Sequence, residues 1–163
     1  MLLKDKVVMV SGVGPGLGIK LALQAAREGA RAVAIGARDK GRLLEAQQRI
    51  LALTDTCEVL CVPTDITDAQ ACNRFAANIL EKFGRIDLFC SNAGISRADP
   101  DIDNPGSPPD AHWELAWGVN VMAHVHAARA ALPGMIERQS GWFLNTVSAA
   151  GLLSQIGSAV YSA

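Results

Sequence analysis

The eight residues Ser11-Gly12-Val13-Gly14-Pro15-Gly16-Leu17-Gly18 put four glycines into one turn, and this turn constrains the chain more than any other feature. Ahead of it, Lys6-Val7-Val8-Met9-Val10-Ser11 is a short apolar run that reads as a buried parallel strand. Behind it, Leu17, Leu21 and Ala25 recur at helical spacing until Gly29 supplies a C-terminal cap. Residues 31–36 return to strand character, which completes a βαβ unit. Glycines in such a turn let the backbone approach a pyrophosphate, whose charge the helix N-terminus stabilises. The spacing is G-x-x-x-G-x-G through Gly12, Gly16 and Gly18, and the G-x-G-x-x-G form fails from either Gly12 or Gly14. No Gly-Lys-Ser/Thr follows, which excludes a P-loop.

The alternation continues along the chain. Helices are expected over 39–53 and 68–83, and strands over 58–62 and 86–90. A long helix begins near Ala111 and stops before Pro133-Gly134, a strand follows over 141–147, and a last helix starts near Ser158. Strands alternating with helices imply an α/β fold with a doubly wound parallel sheet of Rossmann type. Residues 95–110, rich in Pro, Asp, Gly and Ser, read as a surface loop rather than a linker, so residues 1–163 are expected to form one domain. The 15 Lys and Arg against 16 Asp and Glu give a net charge of -1, which provides no basic face for nucleic acid. Cys57, Cys61, Cys72 and Cys90 contain no Cys-x-x-Cys pair and are expected as buried thiols. His124 and His126 point to different faces of a helix, so no metal site is expected. Trp113, Trp117 and Trp142 read as core or subunit-interface residues. No signal peptide or membrane span is written in the sequence, so a cytoplasmic location is expected.

Further motifs sharpen the reading. Pro63-Thr64-Asp65-Ile66-Thr67 closes the third strand, Ser91-Asn92-Ala93-Gly94 closes the fourth, and Asn120 lies in the long helix. Ser148 at a strand end precedes Tyr161 by thirteen positions. In these motifs the chain resembles the short-chain dehydrogenase/reductase family over nearly its whole length. The resemblance implies that Ser11, Gly12, Gly16, Leu17 and Gly18 hold the cofactor pyrophosphate, with Ser11 in place of the family's Thr. It implies that Asp65 and Ile66 contact the adenine, and that in Asn92, Ala93 and Gly94 the small residues admit the ribose while the Asn ties neighbouring strands together, with Ser91 in place of the family's first Asn. It implies catalytic roles for Asn120, Ser148 and Tyr161: Tyr161 exchanges a proton with the substrate oxygen, Ser148 hydrogen-bonds that oxygen, and the Asn120 backbone carbonyl holds a relay water.

The implied activity is hydride transfer between NADP(H) or NAD(H) and a secondary alcohol or ketone. Arg38, after the second strand, stands where an acid would favour NAD, so NADP is the expected cofactor, with NAD the alternative. Asp39 comes one place too late for that acid role and reads as a helix N-cap. The family's lysine, four residues after the tyrosine, would lie two positions beyond Ala163. The expectation is therefore an incomplete domain, silent in catalysis by itself, from a parent that forms a homodimer or homotetramer. A non-catalytic nucleotide-binding module is the alternative. A methyltransferase, which shares the glycine turn, leaves Ser148 and Tyr161 without a role.

Overall fold

The computed structural model describes residues 1–153 and 155–163. Among these, five parallel strands form one sheet in the order β3-β2-β1-β4-β5. The strands are β1 (Val7–Ser11), β2 (Ala32–Ala37), β3 (Glu58–Pro63), β4 (Leu88–Ser91) and β5 (Trp142–Asn145). The helices are α1 (Leu17–Arg27), α2 (Lys40–Leu51), α3 (Ala69–Phe83), α4 (Asp110–Trp117), α5 (Ala123–Glu137) and the short α6 (Ala159–Ser162). A π-helical turn, Gly118–Met122, joins α4 to α5, and a 3-10 turn, Ala149–Gly151, follows β5. Asp39 and Asp68 cap α2 and α3 by accepting from the Arg42 and Gln70 amides, as the expected N-cap role of Asp39 requires.

The central strands are covered on both faces, which explains their continuous apolar runs. Because side chains alternate, Val8 and Val10 of β1 join Val33 and Ile35 of β2 in a cluster under α1 and α2. Val7 and Met9 join Ala32, Ala34 and Phe89 in a second cluster, with Phe75 and Ile79 of α3 and Ala127 and Ala131 of α5. Phe89 meets Phe143 of β5 edge to face, with ring centroids 5.6 Å apart. Gly36 allows the Phe75 ring to lie against the β2 backbone, since a Cβ there would stand 2.6 Å from the ring.

At the N-terminal ends of the strands, Asp87 ties three of them together. Its carboxylate accepts from the Val7 amide at 2.9 Å and from Arg85, its amide donates to the Val7 carbonyl, and its carbonyl accepts from Trp142. Asp87 is 3% exposed, so the two hydrogen-bonded partners offset the cost of burying its charge.

Three sequence expectations are corrected or narrowed. The long helix is broken by a π turn and runs on through Pro133 to Glu137. Proline removes the bond to the carbonyl four residues earlier, and here Pro133 and Arg129 are both exposed residues, on the side of the helix open to solvent. Of the two settings expected for the tryptophans, the core is excluded, which leaves the subunit interface: Trp142 sits on the outer strand and is 73% exposed, and Trp113 and Trp117 are exposed as well. Cys61 is only half-buried, whereas Cys57, Cys72 and Cys90 are buried, and all four are free thiols.

Burial pushes the Cys72 and Cys90 thiols up to about 11, helped at Cys72 by the Asp68 and Asp65 carboxylates. The thiolate is the reactive form. At pH 8, iodoacetamide should therefore leave both cysteines unmodified in the folded chain and alkylate both in guanidinium, as read by mass spectrometry. Rapid labelling of the native chain at either site would contradict this packing.

Candidate active site

The C-terminal ends of β1, β2, β3 and β4 open onto one groove of about 1030 Å³. This edge is where ligands bind in open parallel sheets. The groove is lined by every residue expected from sequence to hold a cofactor: Ser11, Gly12, Gly16, Leu17 and Gly18 from the first turn, Arg38 after β2, Asp65 and Ile66 after β3, and Asn92, Ala93 and Gly94 after β4.

Asn92 holds the walls of the groove in place. Its Nδ2 donates to the Gly12 carbonyl at 3.0 Å, its Oδ1 accepts from Thr146 Oγ1 at 2.9 Å, and its amide donates to Ser11 Oγ at 3.2 Å. The ends of β1, β4 and β5 are thereby joined, and the hydroxyl of Ser11 has a structural use: it accepts the Asn92 amide. The register places Ser11 beside Ser91 and Ser91 beside Asn145, so the three strands end level with one another.

The glycines divide by what they face. A Cβ on Gly12, which has φ +72°, would overlap Ala93. One on Gly18 would overlap the Gly12 carbonyl oxygen and stand 2.9 Å from Asn92 Nδ2. A Cβ on Gly16 would meet no protein atom within 4 Å, so it would project into open space. Gly16 is also the N-cap of α1 and leaves that helix without a side-chain cap, unlike α2 and α3. The first-turn amides of α1 thus remain available to an anion.

The rim of the groove carries two guanidinium groups. Sequence reasoning singled out Arg38, and the structure adds Arg42, from the first turn of α2, as a lining residue. Asp39 is committed to Arg42, accepting its amide at 3.1 Å and pairing with its side chain at 3.8 Å. Across the groove, hydrogen bonds from the Thr67 hydroxyl and amide hold the Asp65 carboxyl below the usual carboxylate range, with a smaller contribution from Arg38.

Asn120 lies in the π turn, and its side chain clamps the backbone of Ile95: Oδ1 accepts from the Ile95 amide at 2.9 Å and Nδ2 donates to the Ile95 carbonyl at 3.0 Å. Turns of this kind within α-helices recur at functional sites. Ser148 is exposed and its Oγ accepts from the Ala150 amide at 3.2 Å. Tyr161, in α6, lines a small cleft of its own with Arg97, Asp99 and His112. Among the described residues no hydrogen bond joins Ser148 to Tyr161. Sequence reasoning missed Asp99, which accepts the Ala159 amide at 2.8 Å while its own amide donates to the Gly157 carbonyl. The loop after β4 thereby fastens the four-residue helix that carries Tyr161, and the signal was an ordinary loop aspartate far from any motif.

No group of His, Cys, Asp and Glu among the described residues is arranged to hold a metal ion. No helix among them is long and apolar enough to cross a membrane.

A parallel sheet in this order, with a glycine turn and a groove at its C-terminal edge, defines a doubly wound nucleotide-binding fold. A sequence model described as short chain dehydrogenase matches residues 6–163, and the chain belongs to that family. It is 32% identical over 167 aligned positions to an uncharacterised oxidoreductase of Listeria monocytogenes, covering 100% of this chain and 63% of that protein. Its fold superposes on NAD+-bound xylitol dehydrogenase with a TM-score of 0.90 at 26% identity, covering 99% of this chain and 60% of that one. The L-sorbose reductase of Gluconobacter frateurii, complexed with NADPH and L-sorbose, superposes with a TM-score of 0.89 at 26% identity, again covering 99% and 60%. The chain thus spans less than two thirds of the length of these relatives.

The division among the glycines is testable by denaturant unfolding. Gly18→Ala should cost about 1–3 kcal/mol, the usual range for forcing an extra methyl into a packed site. Gly16→Ala should cost clearly less, because its methyl group meets no protein atom. Equal losses would show that protein packing, rather than the open groove, sets the need for glycine at position 16.

Proposed function

We propose that this chain forms the nicotinamide-nucleotide site of an oxidoreductase that transfers hydride between NADP(H), with NAD(H) the alternative, and a secondary alcohol or ketone. The observation that carries the reading is the convergence of four strand ends on one groove, with the uncapped N-terminus of α1 and the unhindered Gly16 on the same wall. Those features fit a pyrophosphate. The amides of Leu17 and Gly18 would hold it, Asp65 and Ile66 would face the adenine, and Asn92, Ala93 and Gly94 would admit the ribose. The bound nucleotide supplies the hydride acceptor or donor.

The chain's own residues supply binding, orientation and proton transfer. Tyr161 exchanges a proton with the substrate oxygen. Because Ser148 Oγ already accepts from the Ala150 amide, its hydrogen remains free to be donated to that oxygen. The Asn120 side chain is spent on Ile95, which leaves its backbone for a relay. Two relatives point to nicotinamide nucleotides, since the xylitol dehydrogenase structure contains NAD+ and the sorbose reductase structure contains NADPH. The preference for NADP rests on Arg38 and Arg42 at the end of β2, where the 2'-phosphate would lie, with Asp39 turned to its own helix. The full-length enzyme would act on small molecules in the cytoplasm as a homodimer or homotetramer. The 163 residues by themselves would bind nucleotide without turnover.

Calorimetric titration tests the nucleotide site. NADP+ should bind the 163-residue chain more tightly than NAD+, and Arg38→Ala should weaken NADP+ by about tenfold, the scale of one charge-assisted hydrogen bond, with little effect on NAD+. Equal losses for both nucleotides would reassign Arg38 to packing. In the full-length protein, Tyr161→Phe should abolish turnover of a panel of secondary alcohols and ketones while leaving nucleotide affinity nearly unchanged. Retained turnover would overturn the role of Tyr161.

A further inference from the structure

The loop from Ser91 to Ile95 forms one wall of the groove, and a histidine assigned no role in the reaction lies against it. Ser91 is 1% exposed, and its Oγ lies 2.5 Å from Nδ1 of His124, in the first turn of α5. His124 is the only side chain among the described residues within hydrogen-bond distance of that hydroxyl. Asn120 stands four residues earlier and binds Ile95 through both its side-chain atoms. The helical segment across the π turn therefore grips the loop at both ends, with Asn120 at Ile95 and His124 at Ser91. Between these grips sit Asn92, Ala93 and Gly94. Burial holds the His124 imidazole below the ordinary histidine range, against a hydrogen bond with the Ala93 backbone that favours the charged ring. Nδ1 and the Ser91 hydroxyl form one hydrogen bond whose direction is set by the tautomer of the ring.

We propose that His124 is a positioning residue for the cofactor loop, acting through Ser91 to hold residues 91–95 in the form that accepts the ribose. The inference rests on the reading of the groove as a nucleotide site. Serine is too short to reach far from the end of β4, and the imidazole supplies the partner that crosses to the helix. A buried hydroxyl deprived of that partner either stays unsatisfied or turns toward the loop backbone. In both cases the loop loses one of its two anchors on α5 and the π turn.

The test uses the 163-residue chain with two readouts, amide hydrogen exchange without ligand and calorimetric titration with NADP+. His124→Leu, which keeps bulk and removes the ring nitrogens, should speed exchange at the Asn92 and Ile95 amides by about tenfold and weaken NADP+ by a similar factor, the scale of one hydrogen bond. His124→Asn places an oxygen near the position of Nδ1 and should restore both readouts to within about twofold, which filling space alone does not achieve. Ser91→Ala should move both readouts in the same direction, and the double variant should be no worse than His124→Leu alone, because the leucine already removes the bond that Ser91 loses. Should His124→Leu fail to fold, the smaller change Ser91→Ala carries the test. Unchanged exchange in the Leu variant, or an Asn variant no better than Leu, overturns the proposal. Failure of the unaltered chain to bind NADP+ or NAD+ overturns the nucleotide reading instead, and the exchange data still decide whether His124 orders the loop.

Discussion

The side chain of Asn92 fixes the geometry on which the groove depends. A parallel sheet controls the spacing of its strands but leaves their C-terminal ends to diverge into separate loops. Asn92 joins three of those ends, donating to Gly12, accepting from Thr146 and presenting its amide to Ser11. An amide group suits this position because it donates and accepts at once, whereas a carboxylate only accepts. Gly12 and Gly18 are needed for the same reason, since a methyl on either would strike Ala93, the Gly12 carbonyl or Asn92 itself. Asp87 joins the same three strands at their opposite ends. The sheet is thus pinned at both edges by polar side chains, buried Asp87 and half-buried Asn92, and apolar packing fills the space between them.

Around that fixed point the groove offers groups that the fold does not use. The amides of α1 have no side-chain cap, Gly16 faces open space, and Arg38 stands at the rim beside Arg42, whose guanidinium pairs with Asp39. Groups committed to the fold and groups available to a ligand are distinct sets. Asp39 caps α2, Asp68 caps α3 and Asn120 clamps Ile95, so each is spent on structure. Ser148 retains a free hydroxyl hydrogen, and Tyr161 is carried by a helix that Asp99 fastens to the loop after β4.

Much of this was legible in the sequence because it depends on local chemistry. The period change at Gly16, the apolar runs of β1 and β2 and the cap at Asp39 are written in neighbouring residues, and the strand order and groove follow from them. The residues expected around the nucleotide all reach one groove for the same reason, since each follows a strand that ends at one edge. Of the interactions between distant segments, only the tie that Asn92 makes between strands was expected, through the family resemblance. Asp87 with Val7, Asp99 with Ala159 and Ser91 with His124 pair residues with no shared pattern. The path of the long helix was misread because a proline costs a helix least on its exposed side, and Pro133 and Arg129 are both exposed. The tryptophans lie outside the core because size favours burial only when a neighbouring layer exists to cover them, and Trp142 lies on an outer strand of the described sheet.

One side chain, Asn92, holds the groove in shape. Calorimetric titration of NADP+ into Asn92→Leu tests it most directly, because leucine has the same branched outline and makes neither of the side-chain hydrogen bonds. The account predicts a loss of affinity of at least about tenfold, since the Gly12 carbonyl and the Thr146 hydroxyl are both left without their partner. A folded Asn92→Leu chain that binds NADP+ as tightly as the unaltered one would contradict it.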